Sequence, residues 1–168
     1  MKRMLLFYPM VSLILLTTVA CNDCKDSIDR TNELQKIENL LERYLIASEN
    51  KDYITIENIW APGDSIMLFG TDSHEKLQGW NAIRNAFRNQ FRLIDDTYIS
   101  VSDQYIKINC TNNTAWFAQI LNYNFMYNDI AHRFEGLRFT GVLEKQQGGD
   151  WKMVQAHLSV PANLNIGN

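Results

Sequence analysis

Two groups of side chains in this sequence are able to move protons. The first is Asp72, His74 and Glu75, three ionisable residues within four positions. A carboxylate in such a loop can abstract a proton, provided that a donor such as Tyr44 or Tyr53 steadies the enolate that forms. The second is His157, with Trp151 and Ser159 at even spacings from it. As a neutral imidazole, His157 is a candidate general base, with Arg138 or Gln155 to hold an oxyanion. Both groups also have plainer readings, and these weigh more. Thr71-Asp72 suits a turn, with Glu75 capping it or pairing with an arginine. No acid is predicted beside His157 to orient its ring, so it fits equally a hydrogen bond inside a sheet or at a dimer contact. Asp72 and His157 are thus the catalytic candidates, without an assigned reaction.

Other chemistries lack their signatures. The chain has no zinc-type Cys/His spacing, no Gly-rich phosphate loop and no nucleophile elbow, so neither a metal nor a cofactor is expected. Arg84, Arg88 and Arg92 repeat every four residues; a solvated helix face accounts for them better than an anion site does.

The elements that position these residues follow from periodicity. Leu34, Ile37, Leu41, Tyr44, Leu45 and Ser48 recur at helical steps and predict a helix over residues 31–48. Asp52 caps a second, short helix with Tyr53, Ile56, Ile59 and Trp60 inward. Residues 65–70 and 75–78 read as short strands about the Asp72 turn. Gly79 opens a third helix, in which Trp80, Ile83, Phe87 and Phe91 face inward. Trp80 there seals the core or walls a pocket. From Thr97 the period changes to two, and four long strands follow, ending in a hairpin about Gly148-Gly149. Helices on one side of an antiparallel sheet make an α+β domain.

Strand register is readable from the turns. Two-residue turns at Asn128-Asp129 and Gly148-Gly149 place Gln119 opposite Arg138, Phe117 opposite Thr140, Tyr123 opposite Phe134 and Thr140 opposite His157. One face then gathers Phe117, Gln119, Tyr123, Arg138, Thr140, Gln155, His157 and Ser159. Aromatic bulk with convergent polar groups is the make-up of a ligand pocket, which these residues and Trp80 are expected to line. The opposite face carries Trp116, Ala118, Ile120, Leu137, Phe139, Ala156 and Leu158, suited to helix packing or a dimer contact. A slip of one residue reverses the assignment.

Four segments in this order resemble the SnoaL-like branch of the nuclear transport factor 2-like superfamily. They are Phe69-Gly70-Thr71-Asp72 with Glu75, Gly79-Trp80 with Ile83-Arg84, Ala115-Trp116-Phe117-Ala118, and the run from Trp151 to Ser159. The last is also similar to the association domain of calmodulin-dependent protein kinase II. The resemblance implies a cone, in which a curved antiparallel sheet packs on three N-terminal helices around a pocket. It implies a homodimer through the sheet. It also implies either a small, partly apolar ligand, a cofactor-free isomerase, cyclase or dehydratase, or a module that only oligomerises; it selects no substrate.

Residues 1–20 differ from the rest. Lys2 and Arg3 precede an apolar run ending at Ala20, the pattern of a secretory signal. Thr18-Val19-Ala20-Cys21 resembles a bacterial lipobox, with threonine where leucine is usual; ordinary cleavage after Ala20 is the weaker alternative. Cys21 is the expected lipidation site and the only route to a membrane. Residues 21–31 form a tether and residues 32–168 the domain, in the periplasm or at the cell surface. Removing residues 1–20 takes away two of sixteen basic residues and none of the nineteen acidic ones, leaving a net charge of −5. That balance argues against nucleic acid as a partner. Cys24 and Cys110 can pair in an oxidising compartment, but the strand pattern before Cys110 favours a simply buried thiol.

Overall fold

In the computed structural model, which describes residues 28–162, the first helix is held by its apolar stripe. Helix α1 (Ile28–Glu49) buries Ile37, Leu41, Tyr44 and Leu45, positions that its periodicity marks, and Leu40 beside them. It also buries Glu33, which periodicity does not mark. The Glu33 carboxylate accepts the Trp151 indole N–H at 2.6 Å and pairs with Lys36 at 2.8 Å and Lys145 at 3.0 Å. Burial pushes this carboxyl up, but the three donors outweigh burial and hold its pKa at about 2. Helix α2 (Tyr53–Ile59) is capped by Asp52, whose Oδ1 accepts the Thr55 N–H at 3.1 Å. Helix α3 (Gly79–Leu93) buries Ile83 and Phe87.

The strands are β1 (Met67–Phe69), β2 (Lys76–Gln78), β3 (Ile94–Ile108), β4 (Thr114–Tyr127), β5 (Ile130–Lys145) and β6 (Trp151–Ser159). They form one sheet in the order β2-β1-β6-β5-β4-β3. All pairings are antiparallel except β1 with β6, so the sheet is mixed where an antiparallel one was expected. Strand β3 starts at Ile94, directly after α3, and its two irregularities absorb Asp96 and Ser102.

Two turns set the register. Asn128 and Asp129 both have positive φ and connect β4 to β5 in the expected two-residue turn, so Tyr123 does face Phe134. Beyond that pair, Glu135 and Gly136 oppose Asn122 alone. Gly136 has φ +65°, and its N–H donates to Asn122 Oδ1 at 3.3 Å. This bulge advances β5 by one residue. Ala118 therefore faces Thr140, and Ile120 faces Arg138. Leu137, Phe139 and Leu143 turn inward and are buried, while Arg138 and Thr140 turn outward.

The closing hairpin has a longer loop than a Gly-Gly turn, since Lys145 pairs with Trp151. An irregularity between Val142 and Leu143 restores the expected register, so Thr140 does lie opposite His157 and Arg138 opposite Ser159. Cys110 sits in the exposed turn after β3 and is disulfide-bonded, not a buried thiol. The expected signal segment, Cys21 and the tether up to residue 27 lie outside the described residues.

Candidate functional site

A cavity of about 390 Å³ lies between α1, α3 and the inner face of the sheet. Six aromatic residues line it: Tyr44 from α1, Phe87 from α3, Tyr123, Phe125 and Tyr127 from β4, and Phe134 from β5. They pack on one another, with Tyr44 edge-on to Phe87 at 6.1 Å and Tyr123 edge-on to Phe125 at 5.7 Å. Such a lining offers an occupant dispersion contacts and few competing waters.

The polar groups in it are few and uncharged, with one exception. Gln90 Nε2 donates to the Tyr123 hydroxyl at 2.9 Å, and the Thr97 hydroxyl lies beside the same oxygen, so the phenolic proton can go to Thr97 or to an occupant. Ser48 Oγ is committed to the Tyr44 carbonyl at 2.8 Å. Burial raises the Tyr123 pKa to about 12, partly offset by Gln90 and Thr97, and pushes Tyr44 higher still, helped by its proximity to Tyr123. Both phenols are therefore protonated donors at any physiological pH. The exception is Glu75, which lines the mouth with Gly70, Thr71 and Leu77 and accepts the Asp72 N–H at 3.1 Å. Among the described residues, no Lys, Arg or His lines the cavity.

The sheet faces differ from the sequence expectation. Phe117, Gln119 and Tyr123 do project from the inner face of β4, and all three are buried. Only Tyr123 of the three lines the cavity. Arg138, Thr140, Gln155, His157 and Ser159 lie on the outer face, because the Gly136 bulge reverses β5 and β6 follows it through the Thr140–His157 pairing. His157 meets Phe69 edge-on there, at 5.9 Å. Trp80 packs beside Tyr53 and donates to Glu57 at 3.1 Å, outside the cavity.

Asp72 also stands away from the cavity. Its Oδ1 accepts the His74 N–H at 3.0 Å and lies 3.1 Å from His74 Nδ1, closing an exposed turn. These His74 contacts hold its carboxyl below the usual range, which weakens it as a base. Sequence reasoning missed Gln90, Phe125 and Phe134. Gln90 reads as an ordinary solvated helix position, and nothing local marks it as the partner of a phenol.

The sequence profile described as the SnoaL-like domain matches residues 37–163. The chain is also similar to several solved structures. A nuclear transport factor 2-like superfamily protein from Salmonella enterica serovar Typhimurium aligns with a TM-score of 0.73 at 17% identity, covering 82% of this chain and 97% of that one. A proposed calcium/calmodulin-dependent protein kinase II association domain from Xanthomonas campestris gives 0.66 at 18% identity, with coverage of 83% and 91%. A proposed dehydratase of the same fold from Streptomyces avermitilis gives 0.65 at 14% identity, with coverage of 79% and 99%. At these identities the likeness establishes the fold alone. No curated protein matches the chain at a significant level.

Proposed function

The chain belongs to the SnoaL-like domain family, and on that footing we propose that its cavity binds a small, uncharged, largely apolar molecule carrying a carbonyl or similar acceptor oxygen. The observation that carries this reading is the pair of protonated phenols, Tyr44 and Tyr123, set in an aromatic cavity without a cation. An anionic ligand would enter without a counter-charge and pay its full desolvation. A neutral oxygen acceptor gains the Tyr123 proton. The test compares two fluorescent probes of similar size, neutral 6-propionyl-2-dimethylaminonaphthalene and the anionic 8-anilinonaphthalene-1-sulfonate. The neutral ketone is expected to bind saturably and the sulfonate weakly. The reverse order counts against the proposal.

A catalytic reading has one supporting observation. Among the described residues Glu75 is the only carboxylate lining the cavity, whereas neither Asp72 nor His157 reaches it. A proton-transfer reaction here would use Glu75 as base and Tyr123 as donor to the developing oxyanion. Full turnover by a Glu75→Gln protein on any substrate found would exclude it.

We further propose that the chain is an exported lipoprotein anchored through Cys21. The disulfide at Cys110 supports an oxidising compartment. With Cys21 acylated, Cys24 is the partner this reading requires. A homodimer through the outer sheet face is part of the same proposal. Phe69, Tyr105 and Trp116 are exposed there, and pairing runs across that face from Tyr105 through Ala118 and Thr140 to His157. Mass spectrometry of the mature N-terminus tests the anchor. Light scattering of a Trp116→Glu protein tests the dimer.

A further inference from the structure

A second concavity, a groove of about 420 Å³, runs between α1 and strands β3 and β4. Leu45 and Ile99 line both spaces and separate this groove from the aromatic cavity. At its floor is Gln119, which is 2% exposed. Neither its Nε2 nor its Oε1 has a hydrogen-bond partner. A buried primary amide with both atoms unpaired is unfavourable unless an occupant supplies one donor and one acceptor.

The rim has a definite charge. Glu38 and Glu42, one turn apart, and Glu49, two turns further on, line the groove from α1, and no Lys, Arg or His lines it among the described residues. Glu49 is engaged, its Oε1 accepting the Ile99 backbone N–H of the edge strand at 2.6 Å. Glu38 and Glu42 are exposed and take part in none of the ion pairs found among the described residues. The remaining polar lining is neutral amide, from Gln35, Asn39 and Gln104.

We propose that this groove is a second binding site, for a small organic cation that carries a guanidinium or ammonium group next to an amide or hydroxyl. The positive group sits between Glu38 and Glu42. The neighbouring amide or hydroxyl lies over the floor, where a rotation of the Gln119 side chain, whose amide atoms are closed to solvent, lets Nε2 donate to it and Oε1 accept from it. A bare metal ion does not fit, because no set of three acidic or thiol/imidazole side chains comes close enough to hold one among the described residues. An anion meets two uncompensated carboxylates. The site is independent of the aromatic cavity, so either can fail without the other.

L-Argininamide, which has a guanidinium, an ammonium and a primary amide, is a suitable probe for calorimetric titration of the purified protein. Saturable binding is expected, weakened roughly tenfold or more by Gln119→Leu and about threefold by Glu42→Gln. An off-groove control, Glu144→Gln, is expected to leave the affinity unchanged. Gln119→Leu removes an unpaired buried amide, so its Tm is expected to equal or exceed that of the parent, which separates lost binding from lost folding. Glu42 is exposed, and its replacement tests the site even if Gln119→Leu fails to fold. The proposal is overturned if no saturable binding occurs up to about 10 mM, beyond the weak end of specific affinities. It is equally overturned if all variants bind alike.

Discussion

The Gln90 amide and the Tyr123 hydroxyl meet at 2.9 Å, and that bond joins α3 to β4 across the aromatic cavity. It makes the phenol an acceptor toward the helix, so its own proton can be given to an occupant or to the neighbouring Thr97 hydroxyl. In the proposed reading the pair supplies the donor for a ligand oxygen, while the lack of a lining cation among the described residues is what would disfavour a carboxylate.

The same burial predicts alkaline behaviour. The fold favours the protonated form of Tyr123, whose pKa rises from 10 to about 12. Its contribution to stability is full below pH 10 and is lost as pH rises toward 12. A shift of that size corresponds to roughly 2 to 3 kcal/mol. Denaturant melts across this range are expected to show a stability loss that is smaller in Tyr123→Phe, with phenolate absorbance from Tyr44 and Tyr123 appearing only as the chain unfolds.

Acid has the opposite partner. The Glu33 carboxyl is held at about 2 against an ordinary 4.5, so its stabilisation is present above pH 4.5 and disappears as pH falls toward 2. Two and a half units correspond to at most about 3 kcal/mol. Glu33→Gln is expected to lower the Tm near neutral pH, and the difference from the parent is expected to shrink below about pH 4.5 and close as pH approaches 2.

Gly136 is the residue that turns Leu137 and Phe139 inward. Its φ of +65° is costly for any side chain, although an added Cβ would only touch Pro161 at 3.6 Å. Gly136→Ala is expected to cost about 1 kcal/mol, or roughly 3 °C in Tm. Gly148→Ala, with open space and no such φ, is expected to change nothing measurable in the same melt.

His157→Ala and Asp72→Ala are expected to leave probe binding in the cavity within twofold of the parent, since both side chains lie outside it. A fluorescence titration decides this, and a tenfold loss in either would mean that the cavity is assigned to the wrong residues.

These outcomes mark where sequence reading reaches and where it stops. The α1 stripe, the Asp52 cap and the Asn128-Asp129 turn were legible because each depends on local chemistry. The face of β5 was not, because one extra residue at Gly136 reverses every side chain beyond it, and a glycine inside a strand has several explanations. The closing hairpin was placed correctly for an incomplete reason: a longer loop and an irregularity near Val142 cancel. Glu33 and Gln119 are polar residues in buried positions. Helical or alternating patterns mark only where apolar residues recur, so they send such residues to solvent or leave their partners unnamed.

The central proposal is that two protonated phenols hold the oxygen of a neutral ligand. Its most direct test is titration of the Tyr44→Phe/Tyr123→Phe protein with 6-propionyl-2-dimethylaminonaphthalene beside the parent, with circular dichroism confirming the fold of both. Loss of these hydrogen bonds is expected to weaken binding about tenfold while the apolar contacts keep some affinity. Equal affinity in the two proteins, or no saturable binding to the parent, would contradict it.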